Sequence, residues 1–150
     1  MDDVFCDRGR LSDTIFHETE RFMLVYDLYP VLKGHVLIIP KRHVEDIIEL
    51  DSAEWTDLKK IKDECLPIIL ERYCDSSRSY NMAVQIGKHS GREIDHLHIH
   101  ILPRSKGDIF SGSPRKLYMS VGHREQKDSS SVPAEVKALR KLFRYKPMNL

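Results

Sequence analysis

The chain is short of several things, and each shortage excludes something. Its three cysteines, Cys6, Cys65 and Cys74, show no paired spacing. So odd and sparse a count excludes a disulfide framework and points to reduced thiols in a cytosolic-type compartment. No run of 18 apolar residues occurs, so no transmembrane helix and no membrane partner are expected. Net charge is nearly absent: 24 Lys and Arg against 23 Asp and Glu leave +1, which argues against a protein that holds nucleic acid by electrostatics alone. Seven glycines and seven prolines are too few for a collagen-like chain. The opening MDDVFCDRGR is acidic and polar, unlike a secretory signal, and the closing KPMNL carries no lipidation signal. A cytoplasmic location is the expectation, with the nucleus open to a chain this small.

What is there fits one globular domain over residues 1–150, with 41% apolar and 31% charged residues and no internal repeat. Residues 21–27 (RFMLVYD) and 35–39 (HVLII) read as strands joined by a loop that carries Pro30 and Gly34. Residues 43–50 read as a short helix. Asp51, with Glu54 three residues on, opens a longer one. Trp55, Leu58, Ile61, Cys65 and Ile69 recur along one face of it, as core or dimer interface, and Pro67 should kink or break it before Tyr73. Strands are expected over 80–86 and 94–102, a mobile loop over 104–133 with a short element near 117–121, and a closing helix over 134–145. The sum is an α+β fold with a mainly antiparallel sheet of about five strands, one long helix and one or two short ones.

The unusual component is histidine. There are eight, and three stand at 96, 98 and 100. Side chains alternate faces along a strand, so these three share a face while Leu97, Ile99 and Ile101 take the other. Neighbours in such a row lie about 7 Å apart. Packing alone explains three imidazoles on one face poorly, because burying polar groups is costly. Two chemistries compete. A metal could use neighbouring members, but the outer two are roughly 13 Å apart along the strand and no cysteine or carboxylate adjoins them on that face, which argues against one ion collecting all three. The alternative is a neutral imidazole attacking phosphorus, with its neighbours disfavouring its protonation and fixing its tautomer. His98, flanked on both sides, is the natural nucleophile. His17, His43, His89 and His123 receive no role.

The run His96-Leu97-His98-Ile99-His100-Ile101-Leu102 resembles the signature of the histidine triad (HIT) superfamily. The segment Gly34 to Pro40 resembles that family's second strand. Asp27 sits where the family holds a ribose-binding acid or amide, and Gln85 matches an amide near the phosphates. The segment from Leu102 to Phe110, and the 50 residues beyond His100, resemble the fragile-histidine-triad branch. That resemblance implies a HIT-like fold and a hydrolase that cleaves dinucleoside polyphosphates, such as diadenosine triphosphate or tetraphosphate, to a nucleoside monophosphate plus the remainder. His98 would form a nucleotidyl-histidine, with His96, His100 and His35 as its hydrogen-bond network. Gly91, Arg92, Glu93 and Ile94 would face the phosphates, Val25 and Leu37 would sandwich the base, and Asp27 would accept from the ribose. The alternatives are a purine nucleoside phosphoramidase on the same site, or a nucleotide-binding signalling module with slow turnover. No tightly bound cofactor is implied, beyond Mg or Mn accompanying the substrate phosphates, and a homodimer is expected. Two departures stand out. Glu93 occupies a position where the family usually has Ser or Thr; it should repel phosphate unless Arg92 or a divalent ion compensates. Cys6 has no Cys-x-x-Cys partner, so the structural zinc of some bacterial relatives is not expected.

Overall fold

The structure, a computed structural model, describes residues 3–111, 113–121 and 128–148. Five strands form one sheet in the order β1-β2-β3-β5-β4, with every neighbouring pair antiparallel. They are β1 (Ile15–Glu18), β2 (Phe22–Tyr26), β3 (Val36–Pro40), β4 (Tyr80–Val84) and β5 (Ile99–Pro103). Antiparallel β2 and β3 are in full register from Phe22↔Pro40 to Tyr26↔Val36. This leaves the chain between them, residues 27–35, as a connection at the end of two inner strands.

β2, β3 and β5 are buried at every position, which requires cover on both faces. On one face Phe16, Phe22, Leu24, Tyr26, Val36, Ile38, Ile99 and Ile101 pack against helical Ile61, Cys65, Ile69, Val136 and Leu139. On the other, Ile15, Met23, Val25, Leu37 and Ile39 meet Phe5 and Leu11 from the N-terminal segment, which carries the short helix α1 (Arg8–Leu11). That second face is where the histidines project.

The helical side begins at Asp51, which accepts from the Glu54 N–H at 2.8 Å while Glu54 accepts from the Asp51 N–H at 3.0 Å. This reciprocal cap starts α2 (Ser52–Lys60). Pro67 does not break the helix. A π-helical turn, Ile61–Cys65, precedes it, and α3 (Leu66–Tyr73) then restarts with the proline in its first turn, where a missing N–H costs nothing. Ile61, Cys65 and Ile69 are buried as their spacing predicts, but Trp55 is 47% exposed and belongs to the surface. The helix expected over 43–50 is reduced to a 3₁₀ turn, Ile47–Glu49, because Asp46 and Glu49 cap each other and close it off.

The expected loop 104–133 contains α4 (Pro114–Ser120) and opens with a turn in which Asp108 clamps Arg104 at 2.7 and 2.9 Å. Residues 122–127, His123 among them, lie outside the described residues. α5 (Val132–Phe143) ends the fold two residues earlier than the sequence suggests, where Arg144 turns left-handed. Among the described residues no helix is long and apolar enough to cross a membrane.

Candidate active site

The histidine row is only partly strand. β5 begins at Ile99, so His100 is on the ladder, opposite Leu37 and Ala83, whereas His96 and His98 lie on the irregular approach to it. The approach is pinned to the helical side by Leu97 N–H, which donates to the Val44 carbonyl at 2.7 Å. This geometry separates the three imidazoles. The His98 and His100 rings lie 4.9 Å apart, closer than a regular strand would set them, while His96 turns into a different environment.

The tautomers of the inner pair follow from the backbone. Val31 N–H donates to His35 Nδ1 at 3.0 Å, so the His35 proton sits on Nε2. That Nε2–H faces His100 Nδ1 at 2.9 Å, with an Asp27 carboxylate oxygen at 3.4 Å, which makes His100 Nδ1 an acceptor. His98 Nδ1 lies 2.7 Å from the His96 carbonyl oxygen and must donate to it, leaving the lone pair on His98 Nε2. A neutral imidazole with a fixed Nε2 lone pair is the form a nucleophile requires.

His98 and His100 border an open cavity on the second sheet face. Of the residues expected at the site, Val25, Asp27, Leu37, Glu93 and Ile94 also line it. His35 stands one layer behind, against His100. Three of the expected groups stand apart from the cavity lining. Arg92 turns away from the cavity, with the Glu45 carbonyl at 3.1 Å, the Glu45 carboxylate at 3.3 Å and the Asp95 carboxylate at 3.2 Å. Gln85 and Gly91 adjoin each other, a Cβ on Gly91 falling 3.2 Å from Gln85 Nε2, but neither borders the cavity, and Gln85 donates to the Val121 carbonyl. His96 does not join the imidazole network. Its ring is fully buried, its Nε2–H donates to the Pro40 carbonyl at 2.8 Å, and only its own carbonyl serves His98.

The other wall was missed from sequence. Val4, Phe5, Arg10, Leu11 and Thr14 complete the cavity, and the Phe5 ring meets His98 edge-on at 5.1 Å. The available signal was an apolar Val4-Phe5 pair in an otherwise polar opening, followed by Asp7, which caps α1. Arg10 is the cation of the lining, opposed by the carboxylates of Asp27 and Glu93.

Among the described residues, two groups of side chains could hold a metal. Asp27, His35 and His100 offer ligand atoms within 4.8 Å of one another, though those atoms already serve the proton chain. The second group is Asp3, Cys6, His43 and His96. Cys6 Sγ lies 3.5 Å from His43 Nδ1, 3.5 Å from His96 Nδ1 and 3.4 Å from Asp3 Oδ2, and His96 Nδ1 lies 3.2 Å from that oxygen. Tetrahedral bonds of about 2.0–2.3 Å to zinc set ligand edges of about 3.3–3.7 Å, so this set fits. Asp3 to His96, at 3.2 Å, lies just under that range, and Asp3 to His43, at 2.7 Å, must open by roughly half an ångström. An Asp-x-x-Cys pair thus stands where the sequence seemed to lack a second ligand for Cys6.

Comparison with known proteins places the chain in a family. The HIT domain family profile matches residues 8–107. A bis(5'-adenosyl)-triphosphatase of Dictyostelium discoideum is 34% identical over 130 residues, covering 86% of this chain and 85% of its own. An asymmetrical bis(5'-nucleosyl)-tetraphosphatase of Schizosaccharomyces pombe is 33% identical over 103 residues, 66% of this chain and 53% of its own. The crystal structure of a hypothetical histidine triad nucleotide-binding protein from Sulfolobus tokodaii superposes with a TM-score of 0.70 at 28% identity, covering 95% of this chain and 92% of that one. The buried imidazole chain, the five-stranded sheet and the family match together make this chain a member of the HIT family.

Proposed function

We propose that the protein is a nucleotide hydrolase that cleaves dinucleoside polyphosphates, releasing a nucleoside monophosphate. The observation that carries this reading is the tautomer-locked His98 bordering a largely apolar cavity. Similarity to the Dictyostelium triphosphatase and the fission yeast tetraphosphatase supports the substrate class. The base would lie between Val25 and Leu37 on the sheet and Phe5 on the opposite wall, with the ribose against Asp27. His98 Nε2 attacks the α-phosphorus, a P–N bond forms as the P–O bond to the leaving polyphosphate breaks, and a nucleotidyl-histidine results. Water then cleaves the P–N bond and restores the neutral imidazole. Mg or Mn carried on the substrate phosphates would offset the Asp27 and Glu93 carboxylates. The outer edge of β4, with exposed Tyr80, Met82 and Val84, supports a homodimer.

The test is a substrate panel with intact-mass detection. Diadenosine triphosphate should turn over far faster than an adenosine phosphoramidate, and rapid quenching should reveal the chain plus one nucleotidyl group. The reverse order of rates would favour a phosphoramidase, and binding with negligible turnover a signalling module.

A further inference from the structure

Strand register gives the cavity a direction. Ile15 of β1 opposes Val25 of β2, Val25 opposes Leu37 of β3, and Leu37 opposes His100 of β5. Directly opposed side chains share a face, so these four form one row across the second sheet face. Neighbouring strands lie about 4.8 Å apart, and three such spacings separate the imidazole end of the row from its β1 end. At the β1 end the cavity is lined by Arg10, Leu11 and Thr14. A nucleotide with its phosphorus at His98 and its base over Leu37 and Val25 therefore turns the far edge of that base toward Arg10 and Thr14.

The two polar side chains at that end have opposite characters. Arg10 can only donate. Asp7 orients it: one carboxylate oxygen accepts from the Arg10 main-chain N–H at 3.3 Å, and the other pairs with Nε at 3.4 Å. Among the described residues this leaves the terminal Nη groups of the fork for a ligand. The Thr14 hydroxyl donates to the Leu11 carbonyl at 3.0 Å, so to a ligand it can only accept. A base that suits both offers two adjacent acceptors with an N–H donor beside them. Guanine does, through N7, O6 and N1–H. Adenine carries its N6 amino donor where guanine has O6, and sets donor against donor at the Arg10 fork.

We propose that Arg10, held by Asp7, reads the edge of the base and gives this site a preference for guanine over adenine nucleotides. The fork donates to O6 and N7, and Thr14 accepts from N1–H. Arg10 is 70% exposed, and water competes for its fork, so the discrimination is about tenfold, toward the lower end of what such a bidentate pair supplies. The phosphates lie at the other end of the row, by His98 and Glu93, so Arg10 sets specificity without meeting the reacting atoms. The preference rests on the nucleotide reading and specifies its base.

Calorimetry on the whole chain should give a Kd for guanosine monophosphate about tenfold below that for adenosine monophosphate. Inosine monophosphate keeps N7, O6 and N1–H and should bind like the guanine nucleotide. 7-Deazaguanosine monophosphate lacks the N7 acceptor and should lose most of the advantage. The same order should appear in kcat/KM for diguanosine against diadenosine triphosphate. Arg10→Ala should bring the guanine-to-adenine ratio close to one. Equal Kd values in the wild-type chain overturn the preference and leave the nucleotide reading standing. A ratio unmoved by Arg10→Ala overturns the assignment, and an equal loss for both nucleotides does so too, because it makes Arg10 a phosphate contact. If neither nucleotide binds, the nucleotide reading fails and the base preference with it.

Discussion

His98 illustrates how much of a reactive side chain's character is set by main-chain atoms. The nitrogen proposed as nucleophile is specified by the His96 carbonyl, and the acceptor nitrogen of His100 is specified, through His35, by the Val31 N–H. Replacing His98 with Asn removes the attacking lone pair but keeps a group of similar polarity. Turnover of diadenosine triphosphate should fall below detection while adenosine monophosphate binding, measured by calorimetry, changes little; near-normal turnover would reject the assignment. Glu93 is the adverse residue of the cavity. A carboxylate some 4 Å from phosphate in water costs about 1 kcal/mol, so Glu93→Thr should raise kcat/KM on the same substrate about fivefold. An unchanged kcat/KM would mean that a cation on the substrate already cancels its charge.

At the scale of elements, the turn between β2 and β3 transmits packing into the site. Gly34 has φ +90°, and a Cβ there would fall 2.4 Å from the Tyr73 ring of α3. Its N–H donates to the Tyr26 hydroxyl at 2.8 Å, and Tyr73 is fixed in turn by Glu135 of α5 at 3.1 Å. Gly34→Ala combines left-handed strain with overpacking and should destabilise by about 3 kcal/mol, read as a lower chemical-denaturation midpoint. It should also lower kcat more than binding, since His35 follows directly. The histidine run, the β2–β3 pair and the capped α2 were legible because each rests on local periodicity or a local cap. β1 was not: four residues including His17 and Glu18 carry no alternation, and the strand exists because β2 supplies its partner. The N-terminal wall escaped for the same reason. Phe5 and Leu11 have no local signature, and their role comes from an apolar sheet face that must be covered. His43 and His96 meet Asp3 and Cys6 only through tertiary closure, so spacing along β5 could not reveal them.

At the scale of the whole molecule, chain closure and self-association each lead to a prediction. The chain is closed by Glu18, buried between Arg8 of α1, Lys41 beyond β3 and Tyr145 after α5, with Tyr145 Oη at 3.1 Å and Lys41 Nζ at 3.4 Å. Burial opposes its charge, but the Arg8 bond prevails and lowers its pKa from 4.5 to about 2. A depressed folded-state pKa gives stability that is present above pH 4.5 and is lost as pH falls toward 2. The thermal midpoint should therefore drop across that window, and Glu18→Gln should flatten the drop while lowering the midpoint at pH 7. The proposed self-association would use the other end of the sheet. β4 is the last strand, one of its edges has no partner strand, and Met82 stands 51% exposed between Tyr80 and Val84 on one face. An unprotected apolar edge of this kind favours a second sheet edge. Sedimentation equilibrium at micromolar concentration should give twice the chain mass of 17.5 kDa. Met82→Glu places a charge on each side of the two-fold and should return the mass to that of a single chain, with the far-ultraviolet circular dichroism unchanged. A wild-type chain that sediments at 17.5 kDa would overturn the dimer, and a variant that stays dimeric would move the interface away from β4.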